Sequence, residues 1–375
     1  MAKRDLLDMD RAALQTLVAE WEQPSYRVDQ IWNWIYVKRV ASIAEMSELP
    51  LSLRARLTEE ATIGVLSPLL EQRSTDGETI KWLFDIPAAS AVPRSGNDRA
   101  THQIETVLMR YRRRLTACVS SQAGCGMSCA FCATGQMGFQ RNLTAGEIVA
   151  QVLFVARELA RQGKRLTNIV LMGMGEPLAN YEATLIALRR LGDPQGLNMG
   201  QRHITLSTVG LVPGIDRFSR EGLQVGLAVS LHAATDELRN TLVPINRRYP
   251  LEPLIAACRE YVKRTHRRVS FEWALIAGVN DGIDQAQALA HWVRGLLCHV
   301  NVIPLNPTKG YPGMPSPREQ VAAFCAELER HGVPNSVRVR RGIDIQAGCG
   351  QLRERALELR GNRRTTEADG SPTFA

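Results

Sequence analysis

What the sequence lacks narrows its class before any motif is read. No run of about 18 apolar residues occurs, so no helix is expected to span a membrane. The N-terminus, Met1-Ala2-Lys3-Arg4-Asp5, leads into acidic, amphipathic sequence without an apolar signal core, and a cytoplasmic protein with no membrane partner is the expectation. Cysteine is sparse, eight in 375 residues. In a reducing compartment a tight group among so few reads as a metal site before it reads as a disulfide framework. Five of the eight (Cys118, Cys258, Cys298, Cys325 and Cys349) are scattered, and most of those need no function.

Basic charge is present in excess. The formal charge is +8, with local groups at Arg110 and Arg112 to Arg114, at Lys263, Arg264, Arg267 and Arg268, and at Arg338, Arg340 and Arg341. Such groups can neutralise phosphates, but they equally describe the solvated faces of a basic protein. Charge supports a nucleic-acid partner without identifying one.

Hydrophobic periodicity divides the chain. Residues 1 to about 75 read as short helices: Asp10 caps a run with Leu14, Leu17 and Val18, and Ile31, Trp34 and Ile35 recur at helical spacing. The aromatics there (Trp21, Tyr26, Trp32, Trp34, Tyr36) can stack on bases, but packing a small core is the favoured role. Strands are expected around Ile80 to Ile86 and Gln103 to Arg110, separated by a Pro/Ser/Gly/Asn-rich loop from Pro87 to Thr101. From about Leu115, short β-rich runs alternate with amphipathic helices, the signature of a parallel α/β domain. The spacing places strands at 115–120, 167–172, 203–208, 225–231, 269–276 and 299–304, with another near 337–341. Thr144 and Glu147 form a capping box ahead of the stripe Ile148, Val149, Val152, Leu153, Ala156 and Leu159. In such a sheet or barrel, chemistry belongs at the C-terminal strand ends.

Directly after the first of these strands, Cys125, Cys129 and Cys132 form a Cys-x3-Cys-x2-Cys loop among small residues. Three thiolates at this spacing can wrap one face of an iron–sulfur cube, leaving one iron for a substrate. A zinc site would want a fourth Cys or His near by, and no second pair follows. The second strand ends in Met172-Gly173-Met174-Gly175-Glu176-Pro177, whose glycines expose backbone groups that an amino-acid ammonium could use. Alone that motif is weak; one strand after a three-cysteine loop it is specific. Ser207, Ser230, Leu231, His232 and Asn306 fall at the ends of later strands, where they can meet ribose, carboxylate or adenine.

At this point the sequence resembles the RlmN/Cfr family of radical S-adenosylmethionine RNA adenine methyltransferases, most closely the RlmN type. Carrying the resemblance are Ile104-Glu105-Thr106-Val107, Cys118 to Gln122, the cysteine loop, Arg141 to Thr144, Gly173 to Pro177, Ser207 to Gly210, Ser230 to Ala233, Ile303 to Pro307, and Gly348-Cys349-Gly350-Gln351-Leu352. With the Tyr26 to Tyr36 run of the N-terminal unit, which favours the RlmN type, the resemblance extends over nearly the whole chain. The resemblance implies an α/β fold, a partial (β/α)6 barrel with a small N-terminal helical domain. It implies one 4Fe-4S cluster on Cys125, Cys129 and Cys132, with S-adenosylmethionine on the open iron and near Gly175, Glu176, Ser207, Ser230, Leu231, His232 and Asn306. The implied reaction is methylation of adenine C2 in 23S rRNA and in tRNA, with an electron donor such as flavodoxin, by a monomer. Two outlying cysteines acquire roles: Cys349 carries the methyl group as S-methylcysteine, and Cys118 resolves the covalent RNA adduct, ending as a transient disulfide with Cys349. Glu105 matches the proton acceptor, although in sequence it is an ordinary strand carboxylate.

The domain boundaries that follow are 1–75 for the helical RNA-binding unit, 76–110 for a β-hairpin or linker region, 111–345 for the radical core, 346–360 for the catalytic cysteine loop and a terminal helix, and 361–375 for a disordered tail. Adenine C2 is an electron-poor C–H carbon with no lone pair, so the direct displacement open to nitrogen and oxygen acceptors is closed to it. A radical and a methyl-carrying thiol answer that difficulty. Two other readings stay open here: methylation at C8 of the same adenosine, as in the Cfr type, and a non-catalytic RNA-binding protein with a structural metal.

Overall fold

The computed structural model describes residues 3–87, 101–338 and 345. Ten strands form its main sheet: β1 (Pro68–Arg73), β2 (Thr79–Pro87), β3 (Thr101–Tyr111), β4 (Arg114–Cys118), β5 (Asn168–Leu171), β6 (Ile204–Thr208), β7 (Gly226–Ser230), β8 (Val269–Leu275), β9 (Cys298–Pro304) and β10 (Asn335–Val337). They lie side by side in chain order, because each connection returns the chain to the neighbouring position. From β4 to β10 every pair is parallel. Parallel neighbours need a crossover, and each of the six carries a helix, which makes this half a partial (β/α)6 barrel. From β1 to β4 the pairs are antiparallel, so hairpins extend the sheet past the barrel's first strand.

Every strand expected in the barrel is present, with no end moved by more than four residues. The difference lies before it. The chain expected to be helical up to about residue 75 leaves its last helix at Glu60, and Pro68–Arg73 is an edge strand paired with β2. Pro68 stands first in the strand, and the exposed edge leaves Leu69 half in water, so the alternation that marks a strand is blurred. The Pro87 to Thr101 loop falls almost wholly outside the described residues, as do Arg340 and Arg341.

Helix 145–160 joins the two parts of the molecule. Its inner stripe is buried on the sheet, and Gly146 lies against the N-terminal segment so closely that a Cβ would stand 2.6 Å from Asp8 Oδ1 and 2.8 Å from the Leu7 carbonyl carbon. The Gly146 N–H donates to Asp8 Oδ1 at 2.8 Å. Trp32 donates from Nε1 to Asp193 Oδ2 at 2.8 Å, and Trp21, Trp34 and Tyr36 are buried, so these aromatics pack the N-terminal helices against the barrel. Tyr26 is exposed.

The capping box is formed. Thr144 Oγ1 accepts from Glu147 N at 3.1 Å, and Glu147 Oε2 accepts from Thr144 N at 2.9 Å. Loss of such a cap costs about 1 kcal/mol. Thr144→Ala is therefore expected to lower the urea midpoint by that equivalent with an unchanged slope; an unchanged midpoint would contradict the cap's role.

Candidate active site

The C-terminal end of β4 feeds a short strand, Gln122–Gly124, that opens onto the three cysteines. Gly124 turns the chain at φ +74°, and a Cβ there would stand 2.0 Å from the Gly138 carbonyl oxygen. The loop closes with Cys125 N donating to Gly138 O at 2.9 Å and Cys132 N to Cys129 O at 3.1 Å. Cys132 then caps a single helical turn, Ala133–Gln136. Met127, Cys129 and Phe131 pack on an apolar cluster of Val209, Ala233, Leu242, Val243, Ile276 and Leu305, which draws the loop over the ends of β6, β7 and β9.

Burial, and then the charge of the other cysteines, push the Cys129 thiol well up. Burial likewise raises Cys125 to about 12 and raises Cys132. Three thiolates are therefore stable here only with a cation to compensate them. Among the described residues, no group of three or more His, Cys, Asp or Glu is placed to hold a metal ion. One tetrahedral zinc would need its sulfurs about 3.8 Å apart, given a Zn–S bond of about 2.3 Å. The donor set, three thiols whose charges interact within one loop, is chemically one that an iron–sulfur cluster can take.

The turn after β5 lies flush against this loop. A Cβ on Gly173 would stand 2.7 Å from Val119 backbone, and one on Gly175, at φ +102°, 2.5 Å from Gln122 Cβ. Ser121 and Gln122 donate their N–H groups to Met174 O, and Glu176 N donates to Gln122 Oε1 at 2.8 Å. The buried Glu176 carboxylate takes Val209 N at 2.7 Å and Leu178 N at 3.0 Å, tying the ends of β5 and β6. Its side chain is thus a brace inside the protein, whereas Ser207, Ser230 and Asn306 stay half-buried at the strand ends.

His232 and Leu231 are buried after β7. His232 sits at φ +63°, and its Nδ1 accepts from Ala274 N at 2.9 Å, which leaves the proton on Nε2. Burial, then the nearby Arg239, lowers its pKa to about 3, so the ring is neutral. Its face meets Phe131 edge-on at 4.8 Å between centroids, linking it to the cysteine loop.

Two buried cations escaped sequence reasoning. Arg239 spreads over the carbonyls of Leu231, Ser230 and Val209 and over Asn246 Oδ1, fixing the ends of β6 and β7. Lys81 on β2 pairs its Nζ with Glu105 Oε2 on β3 at 2.7 Å, both side chains being buried. Cys118 stands near them at the end of β4, its thiol pushed up to about 12 by burial. Cys349 lies outside the described residues. Parts of the three basic groups meet at the opposite, N-terminal end of the barrel strands, where Arg114, Arg267, Arg268 and Arg338 line a cavity of about 890 Å³ with Arg202 and His299.

Comparison with known proteins places these features in one family. Residues 119–290 match the radical SAM superfamily, whose members use a 4Fe-4S cluster and S-adenosylmethionine. Residues 4–63 match the ribosomal RNA large subunit methyltransferase N-terminal domain. The chain is 50% identical to dual-specificity RNA methyltransferase RlmN 1 of Myxococcus xanthus, over 93% of this chain and 94% of that protein. It is 46% identical to a probable dual-specificity RNA methyltransferase RlmN of Chloroflexus aurantiacus, over 94% and 93%. A crystal structure of a radical SAM methyltransferase from Sphaerobacter thermophilus superimposes with a TM-score of 0.87 at 50% identity, covering 93% of this chain and 98% of that one.

Glu176 gives the site a pH signature. Burial holds its carboxyl up at about 7 against an ordinary 4.5. A carboxyl raised in this way favours folding below the lower value, and that contribution is lost as pH rises through the higher one. Between pH about 5 and about 8 the parent is expected to lose on the order of 3 kcal/mol relative to Glu176→Gln, which cannot ionise. Urea unfolding of both proteins checks this; parallel pH profiles would contradict it.

Proposed function

The chain belongs to the RlmN family of radical S-adenosylmethionine RNA methyltransferases, and on that premise we propose how its residues divide the methylation of adenine C2 in 23S rRNA and tRNA. Both the N-terminal family match and the relatives' names are of the RlmN type, against methylation at C8. Cys125, Cys129 and Cys132 hold the cluster. Held there, that cluster would supply the electron that reductively cleaves a sulfonium C–S bond of S-adenosylmethionine.

The remaining roles belong to side chains and backbone of this chain. Ser207, Ser230 and Asn306 hydrogen-bond the polar groups of S-adenosylmethionine, with the backbone of Gly175, Glu176, Leu231 and His232 shaping its pocket. Neutral His232 positions that pocket through its neighbours and carries no charge into it. Cys349 takes the methyl group by nucleophilic displacement and presents it to the base. Glu105 accepts the proton that C2 gives up. Cys118, as thiolate, attacks the Cys349 sulfur, which frees the RNA and leaves a Cys118–Cys349 disulfide.

What supports this reading most is one row of side chains. Lys81 opposes Val107, and Val107 opposes Cys118, so all three point to one face of the sheet, as does Glu105 two residues before Val107. Thr106, of opposite parity, bonds Gln151 of helix 145–160 on the outer face. Acid–base and thiol groups thus share the inner face beside the cysteine loop, and Glu105 is close enough to raise the Cys132 thiol.

The base must leave its stack to reach such a site, so folded RNA is gripped elsewhere. The helical residues before Pro68 and the basic groups take that role, 68–110 extend the sheet, 111–345 form the radical core, and 346–360 supply Cys349. The enzyme acts as a cytoplasmic monomer with a flavodoxin-like electron donor; among the described residues no helix is long and apolar enough to cross a membrane. Cys118→Ala is expected to accumulate a covalent protein–RNA species on denaturing gels, and clean turnover would refute its resolving role. Cys129→Ala is expected to abolish 5'-deoxyadenosine release; continued release would remove the cluster assignment.

A further inference from the structure

Lys81 has no role in the reaction as derived so far, yet its position is costly. A lysine ammonium and a carboxylate are both taken from water, with 0% and 2% of their side chains exposed. An apolar pair of similar volume would fill the same space at no desolvation cost, so a buried ion pair is weak evidence of a stability device. The pair also lies where it matters. Its two residues share the inner sheet face with Cys118, and the charges of both reach the Cys118 thiol, Lys81 favouring the thiolate and Glu105 the thiol.

We propose that Lys81 is a positioning residue that keeps Glu105 ionised and aimed at the reacting base. The inference rests on the reading of Glu105 as proton acceptor and extends it to the residue that makes acceptance possible. A carboxylate taken from water needs a compensating charge beside it, and only a carboxylate is a ready proton acceptor. The Nζ at 2.7 Å from Oε2 supplies the compensating charge and fixes that carboxylate oxygen. In the step served, the C2–H bond breaks, the proton goes to the Glu105 carboxylate, and the bond's electron pair stays in the adenine ring. The ammonium keeps its own protons throughout. Cys118 and Cys132 are titratable groups whose charge couples to the pair. Asp85, on the same face of β2, lies four residues beyond Lys81.

Two readouts test this. The first is the infrared spectrum of the full-length protein at neutral pH, comparing Lys81→Met with Lys81→Met/Glu105→Gln. Over the band that Glu176 contributes to all three proteins, an additional carboxylic-acid carbonyl band is expected in the single variant and absent from both the double variant and the parent. The second is resolution of the protein–RNA adduct by the reconstituted enzyme. Lys81→Met is expected to slow it by at least about tenfold, a modest part of what a general base contributes, while 5'-deoxyadenosine release continues. If Lys81→Met does not fold, Lys81→Gln serves the same purpose, because it keeps a polar N–H donor, on a side chain one atom shorter, and removes the charge. A Lys81→Met or Lys81→Gln protein that retains the carboxylate signature, or that resolves the adduct at the parent rate, would overturn the proposal. Clean turnover by Glu105→Gln would instead remove the reading on which it rests.

Discussion

The backbone of residues 119–122 and that of residues 173–176 pass so close that neither Gly173 nor Gly175 could carry a side chain. Everything at the C-terminal face of the barrel follows from that contact. It brings the turn after β5 against the strand that opens the cysteine loop, so Met174 O can receive Ser121 and Gln122, and Gln122 can receive Glu176. Glu176 then reaches across to Val209, and Arg239 continues the chain of contacts to the ends of β7. A rim made of four strand ends is thereby fixed by a few polar side chains.

The same face shows why a site of this chemistry is expensive to build. Glu105, Lys81, Glu176, His232 and Arg239 are all buried, and each group named here is hydrogen-bonded or ion-paired inside the protein. A half-satisfied set of that kind would destabilise the fold by several kcal/mol. Satisfied, it excludes water from a place where reactive intermediates have to survive. Neutral His232 and the high-lying thiols belong to the same logic, since burial suppresses charge wherever no partner holds it.

Much of this was legible in the sequence, and the reason is local. The barrel strands and the Thr144–Glu147 box announce themselves through periodicity and capping, which depend on near neighbours along the chain. The cysteine loop stands out through its spacing. Pro68–Arg73 was not legible, because an exposed edge strand led by proline has no buried face to impose alternation. Lys81 and Arg239 were hidden for a different reason. Lysine in a strand and arginine in a short helix are ordinarily surface residues, and only the cross-strand register and the packing of strand ends reveal that these two face inward. The basic groups are a third case: their composition was plain, but their meeting at the far end of the barrel depends on tertiary structure.

The claim on which the rest depends is that a methyl group is delivered to adenine C2 in two kinds of RNA. It is tested most directly by mass spectrometry of nuclease-digested 23S rRNA and tRNA after reaction with the anaerobically reconstituted enzyme, S-adenosylmethionine and a reductant. Appearance of 2-methyladenosine in both RNAs is the expected result. Appearance of 8-methyladenosine, or of no methylated adenosine from an enzyme that still releases 5'-deoxyadenosine, would contradict it.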